Sequence, residues 1–215
     1  MKPTIAIFIH DPQCETDCAL GMIQGLVSDF NVRTFGLQEL SLDFLQGYDL
    51  VAFPGGMGDS NDFHEIFGED HVTAVQTYVA EGGKYFGICM GAYWAGPLYF
   101  DLVTDLTVER YIDQPNATIF HDGPTMARVM FNSYEEQFMY FYDGCAIVGE
   151  DMQVVATYDN GNAMAAIQDN VGIFGCHPEA RGWWYAEGDM SVSLFDHAHA
   201  ELMCDFVHTL LDKEI

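Results

Sequence analysis

Basic side chains are scarce in this sequence. Seven Lys plus Arg stand against 33 Asp plus Glu in 215 residues, a formal charge of −26. So acidic a surface repels phosphate backbones and anionic membranes, which argues against nucleic-acid binding through a basic groove and against a membrane partner. A salty milieu, a solubility demand or a basic partner would explain the acidity equally. Long apolar runs are also missing, and no stretch approaches a membrane span. The opening MKPTIAIFIHDPQ is too short in its apolar part for a secretory core and lacks a small-residue cleavage site, so a cytoplasmic location is expected. No CxxC pair occurs, which removes a zinc knuckle. Cys14, Cys18, Cys89, Cys145, Cys176 and Cys204 are then expected as free thiols. Nothing calls for a metal or a cofactor.

What is present reads as one globular domain over residues 1–215, without repeats, linkers or low-complexity segments. Thr4–Ile9 is a continuous apolar, β-branched run, the pattern of a strand buried on both faces. Cys14 to Phe30 carries apolar residues at a helical period, with Cys14 and Cys18 on one buried face. Val32–Phe35 and Leu50–Phe53 read as strands on either side of a helical turn at Leu42–Leu45. His71–Ala80 reads as a helix closed by Gly82-Gly83, and Tyr85–Ile88 as a fourth strand. This alternation predicts a parallel α/β sheet flanked by helices, a flavodoxin-like fold. Phe100 to Tyr142 instead suggests added antiparallel strands. Val154–Tyr158, Met164–Ile167 and Val171–Gly175 follow as short strands, and Ala198–Leu211 as a closing helix.

Ligands of such sheets sit beyond the C-terminal ends of the strands. Three strand ends carry suggestive residues: Pro54-Gly55-Gly56, Gly87-Ile88-Cys89-Met90-Gly91, and Gly175-Cys176-His177-Pro178-Glu179. Gly-x-Cys-x-Gly between strand and helix has the form of a nucleophile elbow, a strained turn that holds a reactive side chain above the sheet. The helix start favours negative charge there and leaves N–H groups for an oxyanion. A nucleophilic thiol needs a base, and the base an orienting partner. His177 and Glu179 suit those roles, since residues two apart in an extended segment point the same way. Taken singly, Cys89 reads as a small buried hydrophobe and His177-Pro178 as a turn; together the three segments favour chemistry.

Asp11 and Gln13 end the first strand and either reach the same cleft or cap the loop. Arg181, Trp183 and Trp184 either wall the pocket or simply pack. Cys176 should point away from His177 into the core. His197, Glu201, Cys204 and His208 share one stripe of the last helix and read as a polar face rather than a metal site.

Phe53-Pro54-Gly55-Gly56, GICMG at 87–91 and His177-Pro178-Glu179 resemble, in order and spacing, the class I glutamine amidotransferase-like superfamily. GICMGAYWA, then His121–Pro124, VVATYDNGNAMAAIQ and the HPE segment are similar to the branch typified by the N-terminal domain of some biotin–protein ligases. That resemblance implies Cys89 as nucleophile, His177 as base, Glu179 as its orienter, and Gly56 with Met90 as oxyanion donors, with Gly55 beside them. No Gly-Arg-rich adenylate loop of a biotin-ligase catalytic half is found. Intracellular proteases and chaperones of this fold often have His directly after the elbow Cys; Met90 stands there. Glutamine-hydrolysing members commonly have Gln four residues after the nucleophile; Tyr93 stands there, and little hydrolysis of free glutamine is expected. The expected function is a cysteine-dependent hydrolase or amidotransferase acting on an amide C–N bond of a small-molecule substrate, with a synthase or acceptor as possible partner. The alternative is a binding or regulatory module that keeps the fold without turnover.

Overall fold

The computed structural model describes residues 2–131 and 136–213. Its first half alternates strand and helix: β1 (Thr4–Phe8), α1 (Thr16–Leu26), β2 (Asn31–Phe35), α2 (Leu42–Leu45), β3 (Leu50–Phe53), α3 (Phe63–Ile66), α4 (Glu69–Ala80), β4 (Lys84–Ile88) and α5 (Met90–Trp94). Strands then predominate: β5 (Thr107–Arg110), β6 (Thr125–Phe131), β7 (Glu136–Phe141), β8 (Cys145–Val148), β9 (Gln153–Tyr158), β10 (Ala163–Gln168) and β11 (Val171–Phe174). Two helices close the chain, α6 (Gly182–Glu187) and α7 (Ala198–Asp212).

One sheet runs in the order β2-β1-β3-β4-β11-β10-β9-β6-β7, with β8 pairing β10 and β5 pairing β8. From β2 to β11 along this order every pairing is parallel. From β11 to β7 every pairing is antiparallel. The expected parallel sheet with antiparallel additions is what forms. Among the described residues no helix is long and apolar enough to cross a membrane.

Strand alternation builds the two faces. Ile5 and Ile7 of β1 pack with Met22 and Leu26 of α1 and with Met203 and Phe206 of α7. Ala6 and Phe8 point the other way, toward Val75 and Tyr78 of α4 and Trp94 of α5. β3 and β4 are buried along their whole length, which is why they read as unbroken apolar runs.

Several elements differ from expectation. α1 begins at Thr16, not Cys14, because Cys14 is tied back to His10 by paired backbone hydrogen bonds of 2.8 and 3.0 Å. Cys14 is therefore buried but off the helix. α4 begins two residues early, where the Gly68 N–H donates to His71 Nδ1 at 3.2 Å. α6 was not anticipated; six residues are too few to show a helical period. Residues 132–135, within the segment read as antiparallel, lie outside the described residues.

The turn from β4 into α5 is pressed against β3. A Cβ added at Gly91 would lie 1.9 Å from the Phe53 carbonyl oxygen, so only glycine fits. Gly91→Ala should lower unfolding stability by about 1–3 kcal/mol or more. Gly36→Ala, where nothing lies within 4 Å of the added carbon, is the control and should be near neutral. Urea unfolding of both proteins checks this; equal midpoints would show that the elbow yields freely.

Candidate active site

Cys89 follows β4 with φ 48° and ψ −101°, a left-handed-side conformation that a residue with a Cβ adopts only under constraint. The constraint is visible on both sides. The Cys89 N–H donates to the Phe174 carbonyl of β11 at 2.9 Å, and the Gly91 N–H to the Pro54 carbonyl after β3 at 3.2 Å. The thiol, in a residue only 5% exposed, donates to the Tyr142 carbonyl at 3.5 Å.

His177 and Glu179 sit just past β11 and are almost completely buried, at 4% and 3% exposure. The imidazole Nδ1 and Glu179 Oε1 are 2.8 Å apart. Their meeting is not the work of an extended segment. The Ala180 N–H donates back to the His177 carbonyl at 3.2 Å, so Pro178-Glu179 forms a turn that folds the carboxylate onto the ring. The His177 N–H is fixed on the Tyr140 carbonyl at 2.9 Å, and Tyr140 and Trp184 flank the ring edge to face.

Gly55 joins the two halves. A Cβ placed there would fall 2.5 Å from His177 Cε1 and 3.3 Å from the Cβ of Cys89, so both side chains crowd onto one glycine. Nε2 of His177 and Oε2 of Glu179 are buried without a hydrogen-bond partner among the described residues. Burial by itself depresses the His177 pKa. The Glu179 charge, and after it Cys89, outweigh burial and hold the imidazole well above its ordinary value.

Gly56 and Met90 both line one cleft. Met90 is the first residue of α5, and its amide has no partner within the helix. Gly56 lies between Gly55, whose carbonyl accepts from Glu15, and Met57, whose N–H donates to Pro12. Gly56, Cys89, Met90 and Tyr93 line a cleft of about 570 Å³ together with Arg110 and Asp143. A second cleft of about 430 Å³ shares Gly56, Met57 and Tyr142 with the first, and His177 opens into it.

Tyr93 is mostly buried, and its hydroxyl donates to the Asp143 carbonyl at 3.0 Å. Burial first, then the nearby thiols, pushes its phenol well above the ordinary range, so it stays neutral. Asp11 does not reach either cleft: its two oxygens accept from the Thr16 N–H and hydroxyl at 2.8 and 2.9 Å, capping α1. Gln13 bridges His10 and Asp62 at 3.2 and 2.7 Å. Trp183 and Trp184 wall the second cleft, and Arg181 approaches Asp17 at 3.6 Å. Cys176 points into the core toward the Tyr158 hydroxyl.

Of the stripe on α7, Cys204 and His208 meet Asp29, at 3.6 and 3.1 Å from the same oxygen, while Glu201 faces solvent. The sequence reading missed Tyr140, Tyr142 and Asp143, whose carbonyls touch His177, Cys89 and Tyr93. Backbone acceptors leave no mark on residue type. It also missed Cys18, whose thiol lies within 4.8 Å of donor atoms of His177 and Glu179.

Residues 12–108 match the family described as Biotin-protein ligase, N terminal. No curated protein matches the chain. Among solved structures, a chain of PurLQS from Thermotoga maritima is 16% identical with a TM-score of 0.67, covering 98% of this chain and 100% of that one. A glutamine amido transferase from Methylobacillus flagellatus is 12% identical, TM-score 0.62, with 100% and 97% covered. An exo-beta-1,4-mannosidase from Opitutaceae bacterium strain TAV5 is 11% identical, TM-score 0.59, covering 99% of this chain and 37% of that one. The fold is glutamine amidotransferase-like, and the family match falls on the branch that the motifs resemble.

The raised His177 pKa has a consequence for stability. Its folded value lies above the ordinary 6.5, so the pair stabilises fully below that pH and loses its contribution as pH rises through the folded value. Glu179→Gln removes the main raising charge and leaves burial opposed only by Cys89, so the His177 pKa should fall. Histidine ring resonances followed by NMR across pH check both statements; an unmoved titration would show that Glu179 does not set the imidazole's charge.

Proposed function

We propose that this amidotransferase-like chain is a cysteine hydrolase or acyltransferase acting on an amide-type C–N bond of a small molecule. The observation that carries the reading is the buried imidazole of His177, oriented on one nitrogen by Glu179, with its other nitrogen unpartnered and Cys89 across one glycine. The His177 imidazolium, whose charge Glu179 holds, pairs with the Cys89 thiolate, which attacks the carbonyl carbon, forming a C–S bond. The carbonyl oxygen becomes an oxyanion facing the Gly56 and Met90 N–H groups. Collapse breaks the C–N bond as the imidazolium donates its proton to the leaving nitrogen. Water, or an acceptor amine, then attacks the thioester with His177 as base and frees the thiol. Glu179 holds the ring and stabilises the imidazolium throughout.

Tyr93 argues against free glutamine as that small molecule. Its ring occupies the start of α5 and is locked to Asp143, while Arg110, the one Lys or Arg among the described residues lining the first cleft, is held by Asp143 at 2.8 Å. A glutamine carboxylate would find no unpaired cation there. The likeness to a chain of PurLQS is the reason to consider a synthase or acceptor partner. A binding module without turnover is the second reading, favoured by the Cys89 thiol being turned to the Tyr142 carbonyl.

An acyl-thiol probe such as an activated ester should label Cys89 selectively, and Cys89→Ala should abolish labelling and any turnover while keeping the fold. Uniform slow labelling of several cysteines, read by peptide mass, would favour the binding module. A Cβ at Gly56 would lie 2.2 Å from the Gln13 carbonyl oxygen, so Gly56→Ala should displace the loop with its N–H and cost on the order of a hundred- to a thousand-fold in rate. Ammonia release from glutamine should be negligible for the isolated protein. Brisk release would show that Tyr93 does not exclude glutamine, and a gain in Tyr93→Gln would show that it does.

A further inference from the structure

The second cleft, lined by His177, has walls unlike the first. Trp183, 40% exposed, and Trp184 stand nearly perpendicular with ring centres 6.1 Å apart, and Tyr140 packs 5.5 Å from Trp184. Carboxylates of Glu15, Asp17 and Glu187 complete the lining. Asp17 has Arg181 at 3.6 Å; Glu15 and Glu187 take part in no ion pair among the described residues. We propose that this cleft recognises an organic ammonium group carried on the amine side of the scissile amide.

Indole faces and carboxylates together form the recognised chemistry of an organic cation: the rings attract it through their quadrupoles and the acids through charge. An anionic group would meet only His177, whose charge Glu179 already balances at 2.8 Å, since no Lys or Arg among the described residues lines the cleft. Burial, then the negative charges of Asp11 and Asp17, push the Glu15 pKa up against the lowering influence of His177, and a bound cation relieves that repulsion. The placement on the amine side follows from His177. Its unpartnered Nε2 is the proton donor to the leaving nitrogen, so the leaving amine departs from the cleft that His177 lines. That placement rests on the hydrolase reading above; the ammonium chemistry rests on the cleft alone. The substrate class is an amide whose amine portion bears a second, charged nitrogen.

General acidity would draw any cation to any face, whereas aromatic walls discriminate by charge and ring contact. The test titrates choline and its uncharged isostere 3,3-dimethylbutan-1-ol onto the full chain, read by tryptophan fluorescence and indole NMR. Choline should bind at least about fivefold tighter than the isostere, and Trp183→Leu and Glu187→Gln should each weaken it roughly three- to tenfold. Both residues are exposed, so neither change threatens the core. Equal binding of the two probes, or choline binding untouched by both substitutions, overturns the proposal. The same titration on Cys89→Ala should be unchanged, because the site is independent of the thiol. Choline discrimination without acylation of Cys89 would leave the ammonium site standing and overturn only the hydrolase reading; acylation without discrimination does the reverse.

Discussion

The turn after β4 must lie flat against the strands on both sides of it, and most of the site follows from that contact. Gly91 can approach the Phe53 carbonyl because it has no side chain, and its N–H reaches Pro54 at 3.2 Å. On the other side Cys89 is pinned to Phe174 at 2.9 Å. Between these anchors Cys89 adopts φ 48°, a conformation that costs of order 1–3 kcal/mol and persists because its neighbours overdetermine it. The strand order β3-β4-β11 makes this possible. Segments far apart in the chain, Pro54-Gly55-Gly56, the Cys89 turn and His177-Pro178-Glu179, become neighbours because their strands do.

Charge is handled alike at the two clefts. Arg110 stands at the first, held by Asp143 at 2.8 Å with Asp122 3.8 Å away. Arg181 stands near the second, facing Asp17. In a chain with so few cations, placing two beside the clefts and pairing both leaves the site acidic while fixing the loops that shape it. Inside, His177 is the exception: burial opposes its charge, and Glu179 restores it. The acidity that looked like a bulk property of the sequence is thus also a local property of the site.

The parallel half of the fold was legible because doubly buried strands leave unbroken apolar runs, as at Leu50–Phe53. The elbow was legible because glycine spacing reports backbone strain directly, and the structure gives Cys89 that strain. The pairing of His177 with Glu179 was anticipated for the wrong reason. Both a turn and an extended segment bring residues two apart together, and residue identity does not separate them. Asp11 shows the ambiguity of an acidic residue at a strand end: the same side chain suits a ligand or a helix start, and here it caps Thr16. Cys204 and His208 were read on one face, but their partner Asp29 comes from the far end of the sequence, which no local pattern encodes.

The end of β7 and the residues after it form a rail across the site. Tyr140 accepts from the His177 amide at 2.9 Å, Tyr142 from the Cys89 thiol at 3.5 Å, and Asp143 from the Tyr93 hydroxyl at 3.0 Å. Three site residues from different segments are therefore aligned by one stretch of backbone. Side-chain changes in the rail can reshape both clefts without disturbing these carbonyl contacts, because the contacts do not depend on residue type. The family match ends at residue 108, so it covers Gly55, Gly56 and Cys89 but neither the rail nor His177. Cys89 and the Gly55-Gly56 turn lie in the matched segment, and Tyr142, Trp183 and Trp184, which line the second cleft, lie beyond it. The Cys89 turn and the segment carrying His177, far apart along the chain, meet where β4 pairs with β11.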